Sequence, residues 1–193
     1  MSGPRRVALP VLDREIEARA RAIQETEPYW PCKEGCDLCC RSLPHLPTIS
    51  ATEWERLGPA IDALPREVQG DIRRRIDEAS ASEASASEAS ACDADASAAP
   101  AGARPRVTCP LLDLERGACR VYEARPIACR TYGFFTERDA GLHCALVTDA
   151  IAEHDAAERI IWGNGERIAD AMRAHGEVAS LASFMGRDGA PIE

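Results

Sequence analysis

Lysine is almost absent from this chain: of 23 basic residues only Lys33 is a lysine. No basic stripe is visible, and the formal net charge is −9. Nonspecific nucleic-acid binding rests on cationic contacts to phosphate, so that class of partner is excluded. Long apolar runs are missing as well. No stretch approaches the ~20 residues of a membrane-spanning helix, which excludes a membrane anchor of that kind. Aromatic residues make up 5% of the chain, and much of the apolar fraction is alanine, which buries little area per residue. A core built this way is modest and gains from a metal staple. No glycine-rich loop of the kind that cradles a nucleotide-like cofactor is present, which leaves a cofactor-bound methyltransferase without support. The abundance of arginine and alanine reads as genomic base composition. Arg73-Arg74-Arg75 reads as a solvated helix face.

What the chain has is cysteine, nine in 193 residues. Four lie in Cys32-Lys-Glu-Gly-Cys36-Asp-Leu-Cys39-Cys40, and four more, Cys109, Cys119, Cys129 and Cys144, are spread over a second segment. The N-terminal Met1-Ser-Gly-Pro-Arg-Arg is not followed by an apolar signal-peptide core, so a cytoplasmic location is the expectation. Thiols stay reduced there, and clustered cysteines read as metal ligands rather than disulfides. An adjacent pair suits disulfides badly. A thiol catalyst needs one special cysteine and a paired base, not eight thiols.

The elements can be placed coarsely. Leu12, Ile16, Ala20 and Ile23 recur at helical spacing and predict a helix over residues 11–27, stopped by Pro28. Residues 41–49, with Pro44 and Pro47, read as extended or turn-like. Ser50-Ala-Thr-Glu53 fits a capping box opening a helix with Trp54, Leu57 and Ile61 on one face. Leu64-Pro65 ends it, and residues 67–78 form the next helix. From Asp77 the pattern Glu-Ala-Ser-Ala recurs every five residues. That period advances a helix by about 140° net and makes no apolar stripe. Residues 79–105 therefore read as a solvated helical extension fading into a disordered linker, with Cys92 a bystander. Beyond it come loops, a short helix near residues 121–124, and helices over 147–162 and 166–184 joined at Gly163-Asn164-Gly165.

The spacing of the thiols carries chemistry. Cys36 and Cys39 have the two-residue gap that lets two sulfurs face one tetrahedral ion. Cys40 joins the same small loop only with strain, so adjacent cysteines split between ions or bridge them. Cys32 is close enough to share a site with Cys36 or Cys39. The later cysteines make no local chelate and have to converge through folding, which couples metal binding to the fold. His143 is an alternative ligand beside Cys144; His45, His154 and His175 show no pattern. Arg125 and Arg130 either hydrogen-bond the thiolates and offset their charge or pair with Glu123 and Asp139.

Cys36-x-x-Cys39-Cys40, followed by Cys109-Pro-Leu-Leu-Asp, Gly117-Ala-Cys119, Val121-Tyr-Glu-Ala-Arg-Pro126 and Cys129-Arg130, resembles the CxxCxxCC family. These are the YkgJ-type cysteine-cluster proteins, described as zinc- or iron-chelating. The resemblance covers roughly residues 29–145; a departure is that three residues instead of two lie between Cys32 and Cys36. It implies metal binding through Cys32, Cys36, Cys39, Cys40, Cys109, Cys119, Cys129 and Cys144. The expectation is a mainly α fold with an irregular cysteine-rich metal-binding centre flanked by helices. An N-terminal helix occupies 1–28, the cluster domain 29–145 with a low-complexity insertion at 77–106, and a helical hairpin 146–193. Zinc in a structural role is the expected metal, with no catalytic residue. Iron, or an iron–sulfur cluster with a redox or protein-modification role, is the alternative.

Overall fold

The computed structural model describes residues 8–92, 106–134, 144–159 and 164–188. The fold is mainly α-helical. Helix α1 (Leu9–Thr26) opens with Pro10 in its first turn, where a missing N–H costs nothing. It buries Leu9, Leu12 and Ile16 against Ile127, with Ile168, Ala171 and Met172 packed beside them. Helix α2 (Leu38–Arg41) is a single turn carrying Cys39 and Cys40. Strand β1 (Thr48–Ser50) runs directly into α3 (Ala51–Asp62). The capping box at Ser50 forms as its sequence predicts: Ser50 Oγ accepts the Glu53 N–H, and Glu53 accepts the Ser50 N–H.

Leu64-Pro65 separates α3 from α4 (Arg66–Cys92). In α4, Ile72, Ile76 and Ala79 are buried at helical spacing and meet Leu57 and Ile61 of α3 in the main core. The repeat begins here, and its first units are not wholly solvated. Ala79 is buried, and Glu83 accepts the backbone N–H of Leu46 at 2.6 Å. Helix therefore continues to Cys92, whose side chain lies outside the described ones, and residues 93–105 lie outside the described residues altogether.

Past the insertion the chain returns to where it left. Leu43 and Val107 exchange both backbone hydrogen bonds at 2.9 Å, and the Cys109 N–H donates to the Cys40 carbonyl at 2.6 Å. Strands β2 (Leu112–Asp113) and β3 (Ala118–Cys119) form a small antiparallel pair in which Leu112 faces Cys119. A 3-10 turn at Tyr122–Ala124 leads through Arg125-Pro126 into α5 (Ile127–Thr131).

The C-terminal part differs from its sequence reading. The helix expected over 147–162 is α6 (Ala145–Glu153), closed at His154 and followed by a 3-10 turn at Ala157–Arg159. The helix expected over 166–184 is two helices, α7 (Asn164–Arg173) and α8 (Leu181–Asp188), split by strand β4 (Val178–Ser180). Asn164 and Gly165, read as a turn, open α7. Strand β4 pairs antiparallel with β1, Ile49 opposite Ala179, and Leu181 and Phe184 then enter the main core. The break arises because Gly176 adopts φ +98° after α7 and the backbone of residues 178–180 finds its partners on β1 instead of in its own turn. No helix among the described residues is long and apolar enough to cross a membrane.

Candidate metal centre

All eight clustered cysteines are free thiols, and all eight line one cavity of about 1070 Å³. Four structural features bring them there.

The first is the Cys32–Cys36 turn. The Cys36 N–H closes onto the Lys33 carbonyl at 3.0 Å, and Gly35 supplies the φ of +87° that this turn requires. Cys32 is fixed from behind: Gln24 donates to its carbonyl at 2.9 Å, and its thiol reaches the Tyr132 carbonyl at 3.5 Å. Gly133, at φ +82°, lies so close that an added Cβ would stand 3.1 Å from the Cys32 sulfur. The second is the single turn of α2, which places the sulfurs of Cys39 and Cys40 4.0 Å apart.

The third is Arg75. It was expected on a solvated face, yet it reaches from α4 under the Cys109 loop, its side chain only 11% exposed. Its guanidinium donates to the carbonyls of Cys109 (2.7 Å), Leu112 (2.9 Å) and Pro110 (3.2 Å). Only Arg74 and Arg73 of that run face solvent.

The fourth is a pair of side-chain links that hold α5, one through Glu53 and one through Arg130. Fully buried Glu53 accepts the Ile127 N–H at 2.6 Å while it still holds the Ser50 hydroxyl and N–H. Arg130, 7% exposed, pairs with Glu17 of α1, lies 3.6 Å from Asp13, and donates to the carbonyls of Arg125 and Glu123. Arg130 is thus a structural cation facing α1, and neither reading from the sequence, thiolate donor or partner of the Glu123 carboxylate, describes it. Asp139 and His143 lie outside the described residues.

Arg125 does face the thiols. It stacks on the Tyr122 ring, 3.4 Å from the centroid, and donates through Nε to the Tyr122 carbonyl. Its charge pulls the thiols of Cys32, Cys119 and Cys129 toward the ionised form. Of the other candidates, His45 bonds the Leu46 carbonyl, His154 stacks on Tyr29, and His175 is buried at the end of α7.

Burial and mutual repulsion raise the thiols. Burial pushes the Cys32 thiol up to about 12, helped by the charges of Cys36, Cys39 and Cys144. Cys40 is pushed up to about 12 by its hydrogen bond to Cys109, with burial and the charges of Cys109 and Cys119 adding to this. Cys39 is raised by its hydrogen bond to Cys40 and by burial, Cys119 by burial, and Cys129 by burial together with Cys40, Cys119 and Cys39. Cys39 couples to Cys40, to Cys32 and to Cys129, so the thiols form one electrically linked set with the Cys39–Cys40 step at its centre. Among the described residues no three His, Cys, Asp or Glu side chains stand close enough together to hold a metal ion as they are placed.

The donor set fits a soft ion. Eight sulfurs are the complement of two tetrahedral thiolate sites. The 4.0 Å between the Cys39 and Cys40 sulfurs leaves these neighbours within reach of one shared ion or of two adjoining ions. Sulfurs held this close and desolvated resist ionisation alone and lose that cost when a divalent ion replaces their protons, while Arg125 offsets part of it.

Residues 31–145 match the family model CxxCxxCC, described as a "putative zinc- or iron-chelating domain". No curated protein and no solved structure gives a significant match. The match spans more than half of the chain, and the chain belongs to the CxxCxxCC family.

Proposed function

We propose that this chain is a non-enzymatic metal-binding module that holds two zinc ions through its two groups of four thiolates. Cys32, Cys36, Cys39 and Cys144 would hold one ion, and Cys40, Cys109, Cys119 and Cys129 the other. The observation that carries this reading is the convergence of all eight thiols on one cavity from two segments far apart in sequence. When bound, zinc supplies neither redox chemistry nor, with four thiolates, an open position. Its contribution is cohesion: the ions tie α2, the β2–β3 pair and α5 together where the core is thin. The chain's own residues prepare this. Arg75 and Glu53 fix the backbone of the Cys109 and Cys129 segments, and Arg125 offsets part of the negative charge that eight thiolates bring. A cytoplasmic location fits thiols that have to stay reduced.

An iron–sulfur cluster is the second reading, favoured by one observation. All eight thiols line one cavity, and four cysteines is also the ligand count of such a cluster. That reading gives the protein a redox or protein-modification role.

Anaerobic titration of the metal-free chain with cobalt(II) tests the thiolate assignment. Intense thiolate-to-cobalt bands of tetrahedral form are expected to saturate at about two equivalents and to vanish on adding zinc. A pale spectrum without thiolate bands contradicts it.

A further inference from the structure

The two thiol groups sit in different mechanical settings. Cys109 is 6% exposed and continues into Pro110, Leu111 and Leu112, all buried. Cys40 and Cys119 pack against the same main core. Cys129 lies on α5, between buried Ile127 and buried Arg130, and the backbone of α5 is held by Glu53. Arg75 holds the Cys109 loop by three carbonyls. In the second group only Cys32 is braced, by Gln24 and the Tyr132 carbonyl. Cys36 follows the exposed residues Lys33, Glu34 and Gly35, and Cys39 follows Leu38, which is 38% exposed. Cys144 precedes exposed Ala145 and Leu146 and belongs to a small satellite cluster of Val147, Ile151 and Ala156 with Tyr29 and Trp30.

Resting on the two-ion reading above, we propose that the two sites do different work. The ion on Cys40, Cys109, Cys119 and Cys129 is structural. The ion on Cys32, Cys36, Cys39 and Cys144 is exchangeable, passed to and received from a soft-donor partner, a thiol-bearing protein or small thiol, with the fold intact.

The physical argument is local stability. Releasing an ion from four thiolates proceeds one bond at a time, and each broken bond lasts only if its loop can move away. Segments with few buried contacts open at a small fraction of the free energy of global unfolding, whereas core segments open only with the whole fold. In the exchange step one metal–sulfur bond to a cysteine of the chain breaks and one bond to the incoming donor forms. The released cysteine thiolate takes a proton from solvent, and no electron moves.

The test uses the full chain loaded anaerobically with zinc and challenged with excess EDTA, zinc release being followed with time. Two phases of equal amplitude are expected, their rates differing by about tenfold or more. Alkylation with iodoacetamide after the first phase is expected to label Cys32, Cys36, Cys39 and Cys144 and to spare Cys40, Cys109, Cys119 and Cys129. Cys36→Ser is expected to remove the fast phase and keep cooperative unfolding, and Cys109→Ser to abolish cooperative unfolding. Release of both ions in one phase, or labelling spread evenly over both groups, overturns the proposal. The labelling arm uses the unaltered chain, so it stands even if a variant fails to fold. A chain that takes up fewer than two zinc ions before any EDTA is added overturns the two-ion reading itself, and this proposal with it.

Discussion

Arg75 donates to the carbonyl of Cys109 at 2.7 Å, and through its other nitrogen to Pro110 and Leu112. One side chain of α4 thereby fixes three carbonyls around a thiol 34 residues away. The fork needs the planar, multi-donor guanidinium, which lysine cannot copy. Arg75→Ala is expected to cost about 2–3 kcal/mol of stability, and Arg75→Lys to recover only part of it. Backing groups of this kind are worth about 10–100-fold in metal affinity. Urea unfolding and chelator competition on the same samples measure both. Wild-type values for Arg75→Ala would mean that the loop holds Cys109 without it.

Glu53 does two jobs with one carboxylate. It completes the capping box of α3 and accepts the Ile127 N–H that starts the helix of Cys129. Removing a buried acceptor strands its donors, so Glu53→Ala is expected to destabilise by about 3 kcal/mol or more. Ser50→Ala, which removes one of the three donors, is expected to cost about 1 kcal/mol. Thermal or urea unfolding decides; equal effects for the two variants would leave only the cap.

Much of this was legible in the sequence, and the misses share a cause. Leu12 and Ile16 mark α1, Ser50 and Glu53 mark the start of α3, and Leu64-Pro65 marks its end, because each signal is local. The β1–β4 pair joins residues 48–50 to 178–180, and three-residue strands have too little pattern of their own to announce such a partner. Arg75 was taken for a surface charge because its neighbours Arg73 and Arg74 are; one helical position separates solvent from the Cys109 loop. Arg130 was matched to thiolates or to nearby acids, while its partner Glu17 lies 113 positions away. The eight thiols were all named from spacing and resemblance. That Cys109 lies beside Cys40 was not readable, because it depends on how the Leu43–Val107 bridge returns the chain.

Gly133 supports Cys32 by being small. Its φ is +82°, and a Cβ there would stand 3.1 Å from the Cys32 sulfur. Its carbonyl also accepts the Trp30 indole N–H at 3.0 Å. Gly133→Ala therefore meets backbone strain of about 1–2 kcal/mol together with the clash. Zinc affinity at the Cys32 group is expected to fall while the Cys109 group keeps its ion, as read by graded chelator competition in which the weaker binding step shifts and the tighter one does not. Loss of both ions would show that the groups are not independent.

Metal affinity should depend on pH with a definite sign. Burial and neighbouring thiols raise Cys32 and Cys40 to about 12, and Cys39, Cys119 and Cys129 are raised as well. In the metal-free chain these groups are protonated at pH 7, so each has to release its proton when an ion binds. Apparent affinity is expected to rise from pH 6 to pH 8 by more than about tenfold per unit, since more than one proton leaves. The metal-free fold responds the other way. A thiol with a raised folded pKa stabilises fully below its unfolded value of about 8.5, and that stability is lost as pH climbs toward the folded value. Chelator competition and unfolding at several pH values check both slopes.

The account stands most directly on what the purified chain holds. Anaerobic purification followed by elemental analysis and an optical spectrum is expected to give about two zinc ions per chain and no visible absorption. Iron with acid-labile sulfide and a brown colour would transfer the site to the cluster reading. A chain with neither metal, and with all eight thiols free to react, would contradict the claim that these cysteines form a metal centre.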